Sequence, residues 1–210
     1  MRQFRSGWLV AMVVLVAGCH PGGAEFVDEL DIVLTNYDEG YNFGTANTFV
    51  LPDKIPVIAG KLETDEEPEF LPPNRAATIL NALRKNLTDQ GYLEVEEDAD
   101  IVIPIASISS TTLVWYCDYW WDYWYWWGYY PGYPGWGGCY YPSGYTYTTG
   151  TVLITMIDGA SEDLEPETAV NAVWTAAING LLQGNDASID DRIGKAIDQA
   201  FKQSPYIKSN

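Results

Sequence analysis

The sequence has 210 residues, with 29 acidic against 11 basic side chains and a formal net charge of −18. That balance excludes a nucleic-acid binder built on cationic patches and repels anionic headgroups, while keeping the chain soluble. The single histidine, His20, lies close to the N-terminus, which removes His-based acid–base chemistry, Ser-His and Cys-His nucleophiles and most zinc or copper sites.

Residues 1–18 have the pattern of a lipoprotein signal peptide. Arg2 and Arg5 form a positive start, and Trp8–Val16 is an apolar run too short for a stable span. It ends in Val16-Ala17-Gly18-Cys19, small residues before a cysteine whose thiol would carry the palmitate-type lipid. A plain secretory signal with a chance cysteine is the competing reading. His20 stands where an Asp would favour inner-membrane retention, so an outer-membrane anchor facing the periplasm is expected. Loss of residues 1–18 removes two arginines and takes the charge to −20, leaving attachment to the lipid. Residues 19–26 are expected to be a lipidated tether, with Gly and Pro among them. Residues 27–206 form one α+β domain.

Two strand-like runs, Ile32–Leu34 and Thr48–Leu51, open the domain, with turn chemistry at Tyr37-Asp38-Glu39-Gly40. Residues 52–73, with five prolines, predict an exposed loop. A helix is expected next, capped by Asn74, with Ala76, Ile79, Leu80, Leu83 and Leu87 on one face and Gly91 as a left-handed C-terminal cap. Residues 100–108 predict a core strand in which Pro104 implies an edge position or a bulge.

Residues 115–147 then break the pattern. Of these 33 residues 18 are Trp or Tyr, including seven of the nine tryptophans, interspersed with Gly and Pro. Strand character returns at Gly150–Asp158. In Thr168–Ile178 a two-residue period favours a strand with Trp174 inward, although its alanines leave a helix open. The last helix is expected from Ser188, as cap, to Lys202, with Ile189, Ile193, Ala196, Ile197, Ala200 and Phe201 as its buried stripe and Pro205 as its stop. The elements order as β-β-α-β-β-β-α: a mixed or mainly antiparallel sheet of about five strands, each of two amphipathic helices covering one face, and an aromatic insert between strands.

Several blocks resemble a known family. Tyr37-Asp38, Asn42-Phe43 and Thr48-Phe49 resemble the YD…DF…TF opening of bacterial lipoproteins catalogued as domain of unknown function 4136, with Asn42 in place of the usual Asp. Gly91-Tyr92, Asp98-Ala99-Asp100-Ile101-Val102, Gly150–Ile154, Val173-Trp174 and the closing helix with Pro205 are similar to its later blocks, although Trp174 lacks the basic residue and Gly that often follow. The resemblance implies a lipid-anchored envelope domain and supplies no activity.

No catalytic residues, cofactor or metal are expected, and the protein is read as a non-enzyme. Carboxylate pairs as used in glycoside hydrolysis remain open, with Asp118 and Asp122 four apart among the aromatics as candidates, but they are expected to keep the segment soluble. The acidic runs Glu63–Glu69 and Glu94–Asp100 lack the alternating calcium-loop pattern and are expected to be solvated turns. Cys117 and Cys139 bracket the insert; in an oxidising compartment a disulfide is expected, stabilising by roughly 3 kcal/mol, with two free thiols as the alternative. The candidate binding residues are Trp115, Trp120, Trp121, Trp124, Trp126, Trp127, Tyr129, Tyr130 and Trp136. They suit a protein partner or a second copy of the chain, glycan strands on which rings stack, or the lipid interface. The remaining reading is a low-complexity loop packed on itself with no ligand.

Overall fold

The computed structural model describes residues 32–59, 69–109, 150–159, 172–182 and 186–210. The signal peptide, the tether and the aromatic insert lie outside the described residues. Among the described residues, eight strands and two α-helices run in the order β1 (Ile32–Tyr37), β2 (Thr48–Val50), β3 (Val57–Ile58), α1 (Pro73–Asp89), β4 (Leu93–Glu94), β5 (Ile101–Val102), β6 (Ile105–Ile108), β7 (Thr151–Asp158), β8 (Ala172–Asn179) and α2 (Asp186–Gln203). A 3-10 turn at Phe43–Thr45 joins β1 to β2, its backbone held by the Asn42 side chain, which accepts from the Gly44 N–H.

The α+β class holds, but the expected five strands become eight. Two of the additions are two-residue pairings, too short to leave a periodic signal. β3 lies inside the stretch expected to be an exposed loop: Ile55 is fully buried, and the Val57 N–H and Leu71 N–H bond the carbonyls of Glu69 and Ile55. Its five prolines masked the apolar quartet Ile55-Pro56-Val57-Ile58. The third addition comes from Pro104, which divides the expected 100–108 strand into β5 and β6. That strand is internal, neither an edge nor a bulge. Pro104 brings no N–H to the ladder, so the Ile103 N–H bonds Val50 and the Pro104 carbonyl accepts from the Thr155 N–H at 3.0 Å.

The sheet forks at that break. β1, β8 and β7 are antiparallel neighbours; β7 then pairs with β5 through Ile157 and Asp158, and with β6 through Thr151–Ile154. Beyond β5 lie β2 and β4, both in parallel pairing, and beyond β6 lies β3, also parallel. The β8 segment is a strand, as the two-residue period favoured, with an irregularity opposite Met156/Ile157. Its expected first residues, Thr168–Asn171, lie outside the described residues.

Both helices lie side by side on one sheet face, rather than one on each. Their expected stripes are buried together with Phe49, Ile101, Ile105, Val152, Ile154, Met156, Trp174 and Ile178 in a single core. Arg75 of α1 pairs with Asp190 of α2, and Asn86 donates to Asp198 at 2.8 Å. Trp174 points inward as expected, and its indole N–H donates to Ser204 Oγ at 2.9 Å, satisfying a fully buried donor.

The caps differ from expectation at both N-termini. α1 begins at Pro73, whose fixed φ and missing N–H suit the first helical position, so Pro72 is the cap residue and Asn74 is already inside. α2 begins at Asp186, two residues before Ser188. At the C-terminus of α1 the expected Gly91 cap is present, with φ +95°. The Tyr92 N–H bonds the Leu87 carbonyl and the Gly91 N–H that of Thr88, the paired pattern of a Schellman motif, with buried Tyr92 supplying its apolar contact. A Cβ on Gly91 would also meet Ser209 Cβ at 3.4 Å. Gly91→Ala is therefore expected to destabilise the fold by about 1–2 kcal/mol, read as a lower denaturation midpoint with an unchanged denaturant slope.

Candidate functional surface

All residues singled out for lipidation, pairing or binding (Cys19, Cys117, Cys139, Trp115, Trp120, Trp121, Trp124, Trp126, Trp127, Tyr129, Tyr130 and Trp136) lie outside the described residues, as do Asp118 and Asp122. What the described residues define is the platform that carries the segment. Residues 110–149 leave from Ser109 after β6 and return at Gly150 before β7, two adjacent antiparallel strands. The Gly150 N–H donates to the Ile108 carbonyl at 2.8 Å, closing the ladder directly beneath the departure point. Gly150 has φ +82°, a left-handed conformation that glycine adopts at no steric cost, and its carbonyl accepts from the Leu182 N–H. The Ser109 N–H is tied to Ile58, and Thr151 Oγ1 donates to Asn179 Oδ1 at 2.9 Å in a buried bond. Both ends of the segment are therefore held by β3, β7 and β8.

The opposite end of the sheet carries several of the blocks of the family resemblance, and their polar groups are engaged in structure. Asp38 turns the chain by accepting from the Gly40 N–H at 2.8 Å. Asp100 clamps the start of β2: one carboxylate oxygen accepts from the Asn47 N–H at 2.8 Å and the Thr48 N–H at 3.0 Å, while the Asp100 N–H donates to Thr48 Oγ1. Gly159 sits against this clamp so closely that a Cβ would lie 2.2 Å from the Ala99 carbonyl oxygen. Tyr92 donates to the Phe43 carbonyl at 3.1 Å. Tyr41 has its pKa pushed up to about 12, first by burial and then by the charges of Asp158 and Asp100. Tyr37 stacks on Tyr206 with ring centroids 3.8 Å apart.

The acidic run Glu94–Asp100 is thus not wholly a solvated turn, because its two ends bond protein: Glu94 takes Arg84 in a two-pronged ion pair, and Asp100 takes backbone. Among the described residues no group of three or more His, Cys, Asp and Glu side chains could hold a metal ion. No described helix is long and apolar enough to cross a membrane. Sequence reasoning missed the roles of Asp100 and Ser204. The only signal for Asp100 was its place in a family block, and Ser204, between helix and Pro205, gave none.

The Asn47 N–H, with help from Thr48, holds the Asp100 carboxyl below its ordinary value of 3.8, partial desolvation opposing. A lowered pKa stabilises the fold above the ordinary value, and that contribution is lost as pH falls through the lowered one. Asp100→Asn is expected to cost about 1–2 kcal/mol at neutral pH. The gap between variant and parent should narrow as pH drops below 3.8 in paired denaturant titrations.

The family described as domain of unknown function, DUF4136, matches residues 33–206. A crystal structure of a DUF4136 family protein from Bacteroides thetaiotaomicron is similar at 34% identity and TM-score 0.64, covering 86% of this chain and 98% of that one. Two structures of the PelC dodecamer from Paraburkholderia phytofirmans match at 13% and 14% identity, over 86% of this chain and 99% of theirs, each with TM-score 0.35. No curated protein matches the chain.

Proposed function

The chain belongs to the DUF4136 family, and from that premise we propose that it is a non-catalytic, lipid-anchored envelope module. It is held in the outer membrane through Cys19, faces the periplasm, and docks a protein partner or a second copy through its Trp/Tyr-rich segment. The observation that carries this reading is the attachment of residues 110–149 to two adjacent, hydrogen-bonded strand ends of a packed domain. Strand ends already fixed in a packed domain leave less of the scaffold to be ordered on binding, which lowers the entropy cost. Trp and Tyr bring large contact area with few rotatable bonds and dominate interface hot spots. The polar groups of the family blocks are bonded within the fold and support a structural role for that end of the sheet.

Two measurements test the reading. Cys19→Ser is expected to move the protein from the membrane fraction to the soluble periplasmic fraction. Photoreactive residues at Trp121, Trp126 and Trp136 are expected to capture a discrete protein species, or a second copy, in intact cells. Capture of glycan strands without protein would replace the partner, and absence of any capture would remove the docking function.

A further inference from the structure

Among the described residues the sheet ends at three strands, β1, β3 and β4. β3 and β4 have two residues each. The far side of β3 bonds Glu69 and Leu71, and β4 carries Glu94 in its ion pair with Arg84. β1 is different: six residues, Ile-Val-Leu-Thr-Asn-Tyr, without the charge, proline or bulge that ordinarily blunts an edge.

The direction of its backbone groups follows from the register. The Asp38 N–H donates to the Val173 carbonyl at 3.0 Å, one step beyond the Tyr37–Trp174 pair. Bonded and non-bonded pairs alternate in an antiparallel ladder, so Asn36, Leu34 and Ile32 turn their backbone groups to β8. Those of Val33, Thr35 and Tyr37 turn outward, where no described strand lies. The side chains of these three stand on the helix face: Val33 packs on the core, Thr35 bonds Gln203 and Tyr37 stacks on Tyr206. Three large apolar side chains are exposed among the described residues, and two of them, Ile32 and Tyr37, belong to β1.

We propose that β1 pairs antiparallel with β1 of a second copy, about a twofold axis at Thr35, joining two sheets into one. Thr35 then faces Thr35 of the second copy, and Val33 faces its Tyr37. The outward groups of all three residues find partners, about six hydrogen bonds across the axis. The side-chain pairs, Thr with Thr and a β-branched residue with an aromatic, are ones that stabilise sheets. Such a contact is isologous and closes at two copies.

Charge favours this edge for self-pairing. Two chains of net charge −18 repel, but β1 brings no charged side chain to the axis. The nearest acid, Asp38, lies three residues away, so its two copies stand about 20 Å apart, beyond the screening length of about 8 Å. On α2 the flank nearest β1 is uncharged where Gln203 meets Thr35, as is Gln199 one turn earlier. The contact uses none of residues 110–149, so it stands or falls separately from the docking function proposed above.

Thr35→Cys tests the register, because a thiol on the axis meets its own copy at about 5.5 Å between Cα atoms, within disulfide reach. In the full-length protein, oxidised in detergent, position 35 is expected to join position 35 of an isotopically distinct copy. Val33→Cys is expected to give no link to itself, its copies lying about 14 Å apart, but to join Tyr37→Cys when the two variants are co-expressed. Thr35→Lys sets like charges on the axis and is expected to raise the dimer dissociation constant roughly tenfold or more, with an unchanged circular dichroism spectrum. A monomeric mass for the parent in analytical ultracentrifugation would overturn the assignment. So would linkage of position 35 only within its own chain, self-linkage at position 33, or a dimer that Thr35→Lys leaves intact.

Discussion

Strand β7 is dry on both sides, and the architecture is organised to keep it so. From Thr151 to Ile157 none of its side chains exceeds 9% exposure. A strand of this kind needs a layer above and a layer below, because each exposed apolar side chain would forfeit roughly 25 cal/mol per Å² of buried area. The two helices supply one layer. They lie together, held by Arg75–Asp190 and Asn86–Asp198, and converge on Trp174 through Phe201, whose ring sits 5.6 Å from the indole. β7 also spans the fork of the sheet, pairing with β5 at one end and β6 at the other, so both arms depend on its position.

Much of this was legible because helices leave long periodic traces. Ile79, Leu83 and Leu87, or Ile189, Ile193 and Ile197, recur often enough that burial follows from spacing alone. Gly91 was legible for a related reason, since a glycine after an amphipathic run has one common use. The short elements were not. β4 and β5 are two residues each and exist because neighbouring strands present bonding partners, which is tertiary information. Pro104 was recognised as an interruption, but whether it marks an edge, a bulge or a fork depends on what flanks the strand. The placement of both helices on one face was likewise invisible, because an amphipathic stripe specifies that a helix is covered and not by which side of a sheet.

The functional signal is distributed in the same way. Composition drew attention to Trp115–Tyr147, and the described residues account for how that segment is carried, through Ile108, Gly150 and Thr151. The family blocks at the opposite end, by contrast, are explained by bonds inside the fold: Asp38 to Gly40, Asn42 to Gly44, and Asp100 to Asn47 and Thr48. Residues that make a family recognisable can thus be those that close its turns.

The last seven residues have a consequence for how the chain acquires its structure. Ser204 holds the Trp174 indole, Tyr206 stacks on Tyr37, the Ser209 N–H bonds the Gln90 carbonyl, and the Asn210 amide donates to Gly44 across 166 positions. Contacts of such sequence separation close late, after the large loops between them have been ordered. A chain emerging vectorially during synthesis therefore cannot finish β1, the 3-10 turn or the α1 terminus until residues 204–210 have been added. Until then Trp174 and the apolar faces around it remain open to solvent, the interval in which aggregation competes most strongly with folding.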